Sequence, residues 1–376
     1  MLRHLSPAQA TAANDYRVFA DRAFAPRADD LDSRQDFPRE LAKELGAQGW
    51  LSSLLPPEHG GQNLDWVPYG LMAEEIGRTC GNVRNFVAVQ DMVSYSIWWW
   101  GDDVARSTWL PRLAAGEAIG SFCLTEPDIG SDARNVGTVA VADGADVVIN
   151  GVKKWISFGQ LADVFLVFTQ FDGAHTAFLV GRDNPGVHVR PIDGLLGLRG
   201  SMLGEITFAE CRVPASAMIG RPGSGLAFVA SSALEIGRYS TAWGCVGLAQ
   251  ACVDAASGYA SRRVQFETEL VEHQLVQRML ADMTVETQAA RLLCFEAGTA
   301  KDRRQDAVND VLMAKYYASA VAMRAATDTV QIFGAAGVGG GSEVARLFRD
   351  AKVMEIIEGT TQLLQSMLGR QARAGR

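Results

Sequence analysis

The residues best suited to chemistry lie near the C-terminus, in EIIEGTTQ, Glu355 to Gln362. Glu358 follows two isoleucines and precedes Gly359, Thr360 and Thr361. Apolar neighbours raise the pKa of a carboxylate toward the range of a useful base, and a glycine lets a ligand come close. Glu358 therefore reads either as a proton-transfer residue or as the last charge before a helix cap. A second candidate is CLTEPDIGSD, where Thr125, Glu126, Asp128, Ser131 and Asp132 crowd a short loop. Its hydroxyls and glycine suit the edge and phosphates of a ligand, and its acids and Pro127 equally suit a surface turn. In KKWISFG, Trp155 offers a flat ring for stacking and Ser157 a hydrogen-bonding group, although a tryptophan taken alone is as much a core residue.

The glycine-rich stretch FGAAGVGGGSE, with Asp350 downstream, has the look of a dinucleotide-binding loop. That fingerprint requires a preceding strand. The segment from Asp310 to Phe333 is instead Ala-rich with apolar residues at helical spacing, which reads as a turn between helices. A nicotinamide-dependent oxidoreductase stays open as a second reading. Nucleophile elbows, H-E-x-x-H and Walker loops are absent, and the five histidines are scattered, so no metal is expected.

These residues need elements to hold them. Residues 1–118 carry helical periodicity in RELAKELGAQGW and YGLMAEEIGRTCG, separated by the loop LLPPEHGGQNLDW. Residues 119–222 turn to short segments rich in Val, Ile, Phe and Thr, punctuated by Asp-Gly and Asn-Gly, which predicts a β barrel or sandwich. Residues 223–376 return to long helices and predict a four-helix bundle. The expected fold is thus multidomain α+β: helical, β, helical. At 376 residues with 48% hydrophobic and 21% charged side chains, the chain has ample core. A net charge of −8 without a basic stripe argues against nucleic acid. No apolar run is long enough for a membrane span, and the N-terminus lacks a signal-peptide core. The six cysteines form no C-x-x-C pair and read as free thiols in a cytoplasmic protein.

The order of the motifs adds more than any one of them. TEPDIGSD, KKWIS, LGLRGS, FAECRVP, EIGR, YASRRVQF, HQLVQRMLADM, QIFGAAG and RDAKVMEIIEGT follow one another in a series that resembles the acyl-CoA dehydrogenase family. GRYSTAWGCVGLAQAC and RDAKVMEIIEG further resemble members of the methoxymalonyl extender-unit dehydrogenase type, which act on carrier-protein-bound acyl groups in polyketide biosynthesis. The resemblance implies FAD, bound in a homodimer or homotetramer, and an electron acceptor for flavin reoxidation. It implies that Thr125, Ser131, Trp155 and Ser157 contact the flavin or its diphosphate. Arg263, Phe266, Gln274, Gln331 and Gly334 would reach the adenosine diphosphate half from a neighbouring subunit, and Thr360 and Gln362 would touch the cofactor after the base. Glu358 would remove the α proton of an acyl thioester while the β hydrogen leaves as hydride to flavin N5. Some members carry the base on the helix that opens the last domain; that position is Gly237 here. Glu235 and Arg238 would lie along the pantetheine arm, with helix-surface ion pairing as their other reading. Ile357 replaces the family's usual aromatic and would line the thioester site.

Three functions follow. One is dehydrogenation of an acyl-CoA. A second is oxidation of a hydroxyacyl group on an acyl carrier protein. The last is a catalytically silent scaffold. The bulky SYSIWWWG segment leans toward a short or polar acyl group, or toward a helix packing face.

Overall fold

The computed structural model of the chain describes residues 5–374 except Gly340, which falls within the glycine-rich stretch. Helices fill the first part: α1 (Pro7–Ala23), α2 (Ala28–Arg34), α3 (Arg39–Ala47), α4 (Trp66–Thr79), α5 (Gly81–Trp100) and α6 (Asp103–Ala114). Helix α1 starts in a capping box, Ser6 and Gln9 satisfying each other's backbone amides. Helix α5 is buried along nearly its whole length, which is why its sequence, VRNFVAVQDMVSYSIWWW, lacks a polar face.

The strands follow as β1 (Gly120–Cys123), β2 (Val139–Asp143), β3 (Asp146–Ile156), β4 (Val164–Phe171), β5 (Ala174–Gly181), β6 (Val187–Pro191), β7 (Gly204–Pro214) and β8 (Met218–Ile219). They form one eight-stranded sheet in the order β6-β7-β3-β2-β4-β5-β8, with β1 pairing parallel to β4. Strand β4 is apolar at consecutive positions because both its faces are covered. Val164, Leu166 and Phe168 pack against α5 and α6 residues such as Val93, Ile97, Leu110 and Leu113. Phe165 and Val167 point into the sheet's own core with Phe178, Ile206 and Phe208.

Two register slips interrupt the β3–β7 pairing, one between Ile149 and Gly151 and one between Lys153 and Ile156. In the second slip the pairing runs from Lys153↔Ile206 to Ile156↔Gly204, so Lys154 and Trp155 together oppose Glu205. This is a β-bulge, which re-aims a side chain out of the alternating pattern.

A π-helical segment (Gly225–Ala230) leads into α7 (Ser231–Ala260). A small hairpin, β9 (Val264–Gln265) and β10 (Thr268–Glu269), precedes α8 (Gln274–Asp302). Then come α9 (Val308–Phe333), the short α10 (Ala335–Val338), α11 (Glu343–Met354) and α12 (Thr361–Ala374). Helix α7 is rich in Ala, Gly and Ser and is buried against α4, α5, α8 and α9 in the largest core. The glycine-rich stretch follows a helix of 26 residues, not a strand, so it lacks the βα setting of a dinucleotide fingerprint. This removes the structural basis for the nicotinamide reading. All six cysteines are buried free thiols. No helix among the described residues is long and apolar enough to cross a membrane.

Candidate active site

Glu358 lies on a reversal, not on a helix. Helix α11 stops at Met354, and the Ile356 and Ile357 amides donate back to Val353 O (2.9 and 3.1 Å). Glu358 adopts φ 56° and Gly359 φ 98°, turning the chain before Thr361 N donates to Glu355 O (3.0 Å). Two cations fasten this turn by its carbonyls. Arg238 Nε on α7 donates to Glu358 O (3.0 Å), and Lys315 Nζ on α9 donates to Gly359 O (2.7 Å). Lys315 is fully buried, and burial pushes its ammonium down to about 8.

The carboxyl group is directed at α7. A Cβ on Gly237 would stand 2.4 Å from Glu358 Oε2 and 2.8 Å from Met92 Sδ. Only glycine leaves that room. Although Glu358 as a residue is half-buried, its Oε2 is shielded from solvent and has no hydrogen-bond partner. Burial raises the carboxyl above the usual carboxylate range, and Arg238, Arg84 and Lys315 oppose the rise. The isoleucines do not supply this burial. Ile356 is exposed and Ile357 half-buried; the desolvating surface comes from α7 and α5.

On the β side, the bulge in β3 leaves Trp155 50% exposed with φ 61°, so the ring is a presented surface and not a core residue. Lys154 N donates to Thr125 O (2.9 Å), which ties the Thr125 loop to the strand carrying Trp155. Ser157 Oγ accepts from Asn85 Nδ2 (3.4 Å), and its carbonyl accepts from Ser121 Oγ (2.9 Å). Thr125, Trp155 and Ser157 thus share one edge of the sheet. Ser131 is exposed farther along the same loop.

The acids of CLTEPDIGSD divide. Glu126 is buried and accepts from Lys153 Nζ (2.8 Å), Thr138 Oγ1 (2.6 Å), Thr138 N (2.9 Å) and Gly137 N (2.6 Å). Burial alone would raise its pKa, but these donors hold it below the ordinary range. It is the brace under Thr125.

Other sequence-derived residues are dispersed. Arg263, Phe266 and Gln274 are exposed around the α7–α8 hairpin, and Gln331 and Gly334 at the end of α9. Tyr259 and Phe333 stack at 4.1 Å and bring these two sets beside each other. They sit apart from Glu358 on the outside of the bundle, where a neighbouring subunit's cofactor would have to reach them. Thr360 Oγ1 accepts from Leu363 N (3.3 Å) as the cap of α12, and Gln362 is exposed on the first turn. Glu235 pairs with Lys301 of α8, which supports its ion-pairing reading.

The sequence reading missed Arg84, Asp91, Met92 and Lys315. Each is a single polar or soft side chain in an otherwise apolar helical run, and that isolation was the available signal.

The comparisons agree with this arrangement. Models of the acyl-CoA dehydrogenase N-terminal, middle and C-terminal domains match residues 6–117, 121–211 and 223–372. The chain belongs to the acyl-CoA dehydrogenase family. It is 36% identical over 360 residues to a probable acyl-CoA dehydrogenase of Bacillus subtilis, covering 94% of each chain. A glutaryl-CoA dehydrogenase from Mycobacterium smegmatis, solved in complex with FADH2, superposes with a TM-score of 0.94 at 32% identity, over 99% of this chain and 96% of that one. FkbI, described as acting in biosynthesis of a methoxymalonyl extender unit, superposes at 0.87, also with 32% identity, over 97% and 99%. Identities this even decide the family, not the substrate class. Members of the family are FAD enzymes acting on the CH–CH group of acyl thioesters, and this chain is one. The half-exposed Trp155 ring flanked by the Thr125 and Ser157 hydroxyls fits a flat heterocycle with polar edges.

Proposed function

We propose that Glu358 is the base that removes the α proton of an acyl thioester. The observation that carries this reading is its shielded, unpartnered Oε2 against Gly237. A carboxylate raised above its usual range holds a proton more strongly, which is what abstraction from a weakly acidic carbon requires. The three nearby cations keep the ionised form accessible and offset the negative charge that grows as the proton leaves. Arg238 and Lys315 hold the turn by its carbonyls, so the side chain starts from a fixed backbone. On this reading Thr125, Trp155 and Ser157 hold the flavin from the β side. Arg263, Phe266, Gln274, Gln331 and Gly334 hold the adenosine half of a cofactor shared between subunits. Bound FAD supplies a two-electron acceptor for the hydrogen lost from the β carbon.

The test is direct. The purified protein should show a flavin spectrum that bleaches when an acyl thioester is added anaerobically. Glu358→Gln should keep the spectrum and lose bleaching by about a thousandfold or more, the scale on which a positioned base and its charge act. Bleaching at the original rate in that variant refutes the assignment.

A second reading is oxidation of an acyl group on a carrier protein, supported by the likeness to FkbI. Presenting the same acyl group on CoA and on an acyl carrier protein separates the two by the ratio of their bleaching rates.

A further inference from the structure

Helix α7 continues past Gly237 into a group of polar side chains that the proton-transfer step does not use. Ser240 lies one turn on and is buried, and its Oγ has no partner. Tyr69 of α4 and Asp91 of α5 meet it there, both at most 1% exposed. Tyr69 Oη faces the Asp91 carboxyl and the Ser240 hydroxyl without a hydrogen bond of normal geometry to either. Asp91 Oδ1 accepts from Ser52 N (2.7 Å), while Oδ2 has no partner. Arg84, 1% exposed, spends Nη1 on Thr241 Oγ1 (3.1 Å) and Nη2 on Met354 Sδ (3.5 Å), and leaves Nε without an acceptor. Arg84 lies within electrostatic range of both Tyr69 and Glu358. Met92, next to Asp91 in the chain, is the residue that shares the Gly237 space with the Glu358 carboxyl.

Buried polar atoms are almost always paired, so a cluster left open beside the base calls for an occupant. An alkyl end would leave all of them unpaired. A carboxylate would meet only one free N–H of Arg84 instead of the two-pronged fork, and would lie against the Asp91 carboxyl. A hydroxyl accepts from Arg84 Nε and donates to Asp91 Oδ2, so it satisfies both. From Gly237 to Thr241 the helix rises about 6 Å, the length of a short acyl chain.

We propose that Tyr69, Arg84, Asp91 and Ser240 form a cradle for an uncharged hydroxyl near the far end of a short acyl group. This rests on Glu358 being the base and names the substrate class of the same site.

The test compares flavin bleaching by 4-hydroxybutyryl, butyryl and glutaryl thioesters, each presented on CoA and on an acyl carrier protein, with the holoenzyme at pH 8. Burial pushes the Asp91 carboxyl up to about 7, so at pH 8 it is chiefly an acceptor. The hydroxylated thioester should lead butyryl by about tenfold or more in rate over dissociation constant. That ratio should fall toward one in Ser240→Ala and Tyr69→Phe, and in Asp91→Asn if it folds. Equal or better bleaching by butyryl means that water fills the cradle; a lead for glutaryl means that it takes an anion. Either result overturns the proposal and leaves the dehydrogenase reading standing. Bleaching by none of the thioesters overturns both.

Discussion

Replacing Gly237 by alanine adds one methyl group to a buried helix and aims it at the base. The new Cβ would sit 2.4 Å from Glu358 Oε2, 2.5 Å from its Cδ and 2.8 Å from Met92 Sδ. An ordinary contact begins near 3.4 Å, so the carboxyl must retreat by about 1 Å (3.4 − 2.4). Both atoms in the way are ends of flexible side chains, so the fold can absorb the methyl. Helix propensity favours alanine by about 1 kcal/mol, against roughly 1–3 kcal/mol for overpacking, and global stability should change by no more than about 2 kcal/mol. Catalysis has no such tolerance. A displacement of ~1 Å in a reacting group costs about a hundredfold, or ~2.7 kcal/mol of barrier. Gly237→Ala should therefore keep its flavin spectrum and its denaturation midpoint while anaerobic flavin reduction slows by about two orders of magnitude. Wild-type reduction rates in a folded Gly237→Ala protein would show that the carboxyl does not work from the place it occupies here.

Lys315 should give the pH profile an alkaline limb. Its ammonium loses charge as pH rises through about 8, weakening both its hold on Gly359 O and its pull on Glu358, and Lys315→Met should lose that limb. The acid limb belongs to Glu358, whose raised carboxyl must ionise before it can act, so activity should fall as pH drops through a value above the ordinary glutamate pKa of about 4.3. In stability the sign for Lys315 is reversed. Between about 8 and the unfolded value of about 10.4, the unfolded chain holds the extra proton, so this lysine's contribution to stability rises with pH; melting curves of wild type and Lys315→Met should converge across that window. Lys153→Met strands a buried carboxylate under the Thr125 loop and should cost about 3–5 kcal/mol in denaturant unfolding. A neutral result would mean that Thr138 and Gly137 alone satisfy Glu126.

Much of the architecture was legible in the chain. Periodicity separated the helical regions from the strands, because a helix buries one stripe and a strand alternates faces. Strand β4 broke the alternation for a reason its neighbours supply: helices α5 and α6 cover its second face. The order of motifs placed Glu358 as the base, and glycine at position 237 removed its rival. The apolar run MEIIEG read as helix up to the base, however, whereas α11 ends at Met354 and Glu358 turns on a left-handed residue. Trp155 looked equally like core until the bulge opposite Glu205 turned it outward.

By itself, then, the sequence determined which segments are helix or strand, which family the chain resembles, and which carboxylate is the base. Tertiary structure alone decided what that carboxylate feels. Ile356 and Ile357 precede it in the chain but do not desolvate it; Gly237 and Met92 do, across more than a hundred residues of sequence. Arg84, Asp91 and Lys315 gained meaning only when three helices brought them to one place. Burial and charge proximity are relations between atoms in space, and spacing along a chain does not encode them once the contacts are long-range.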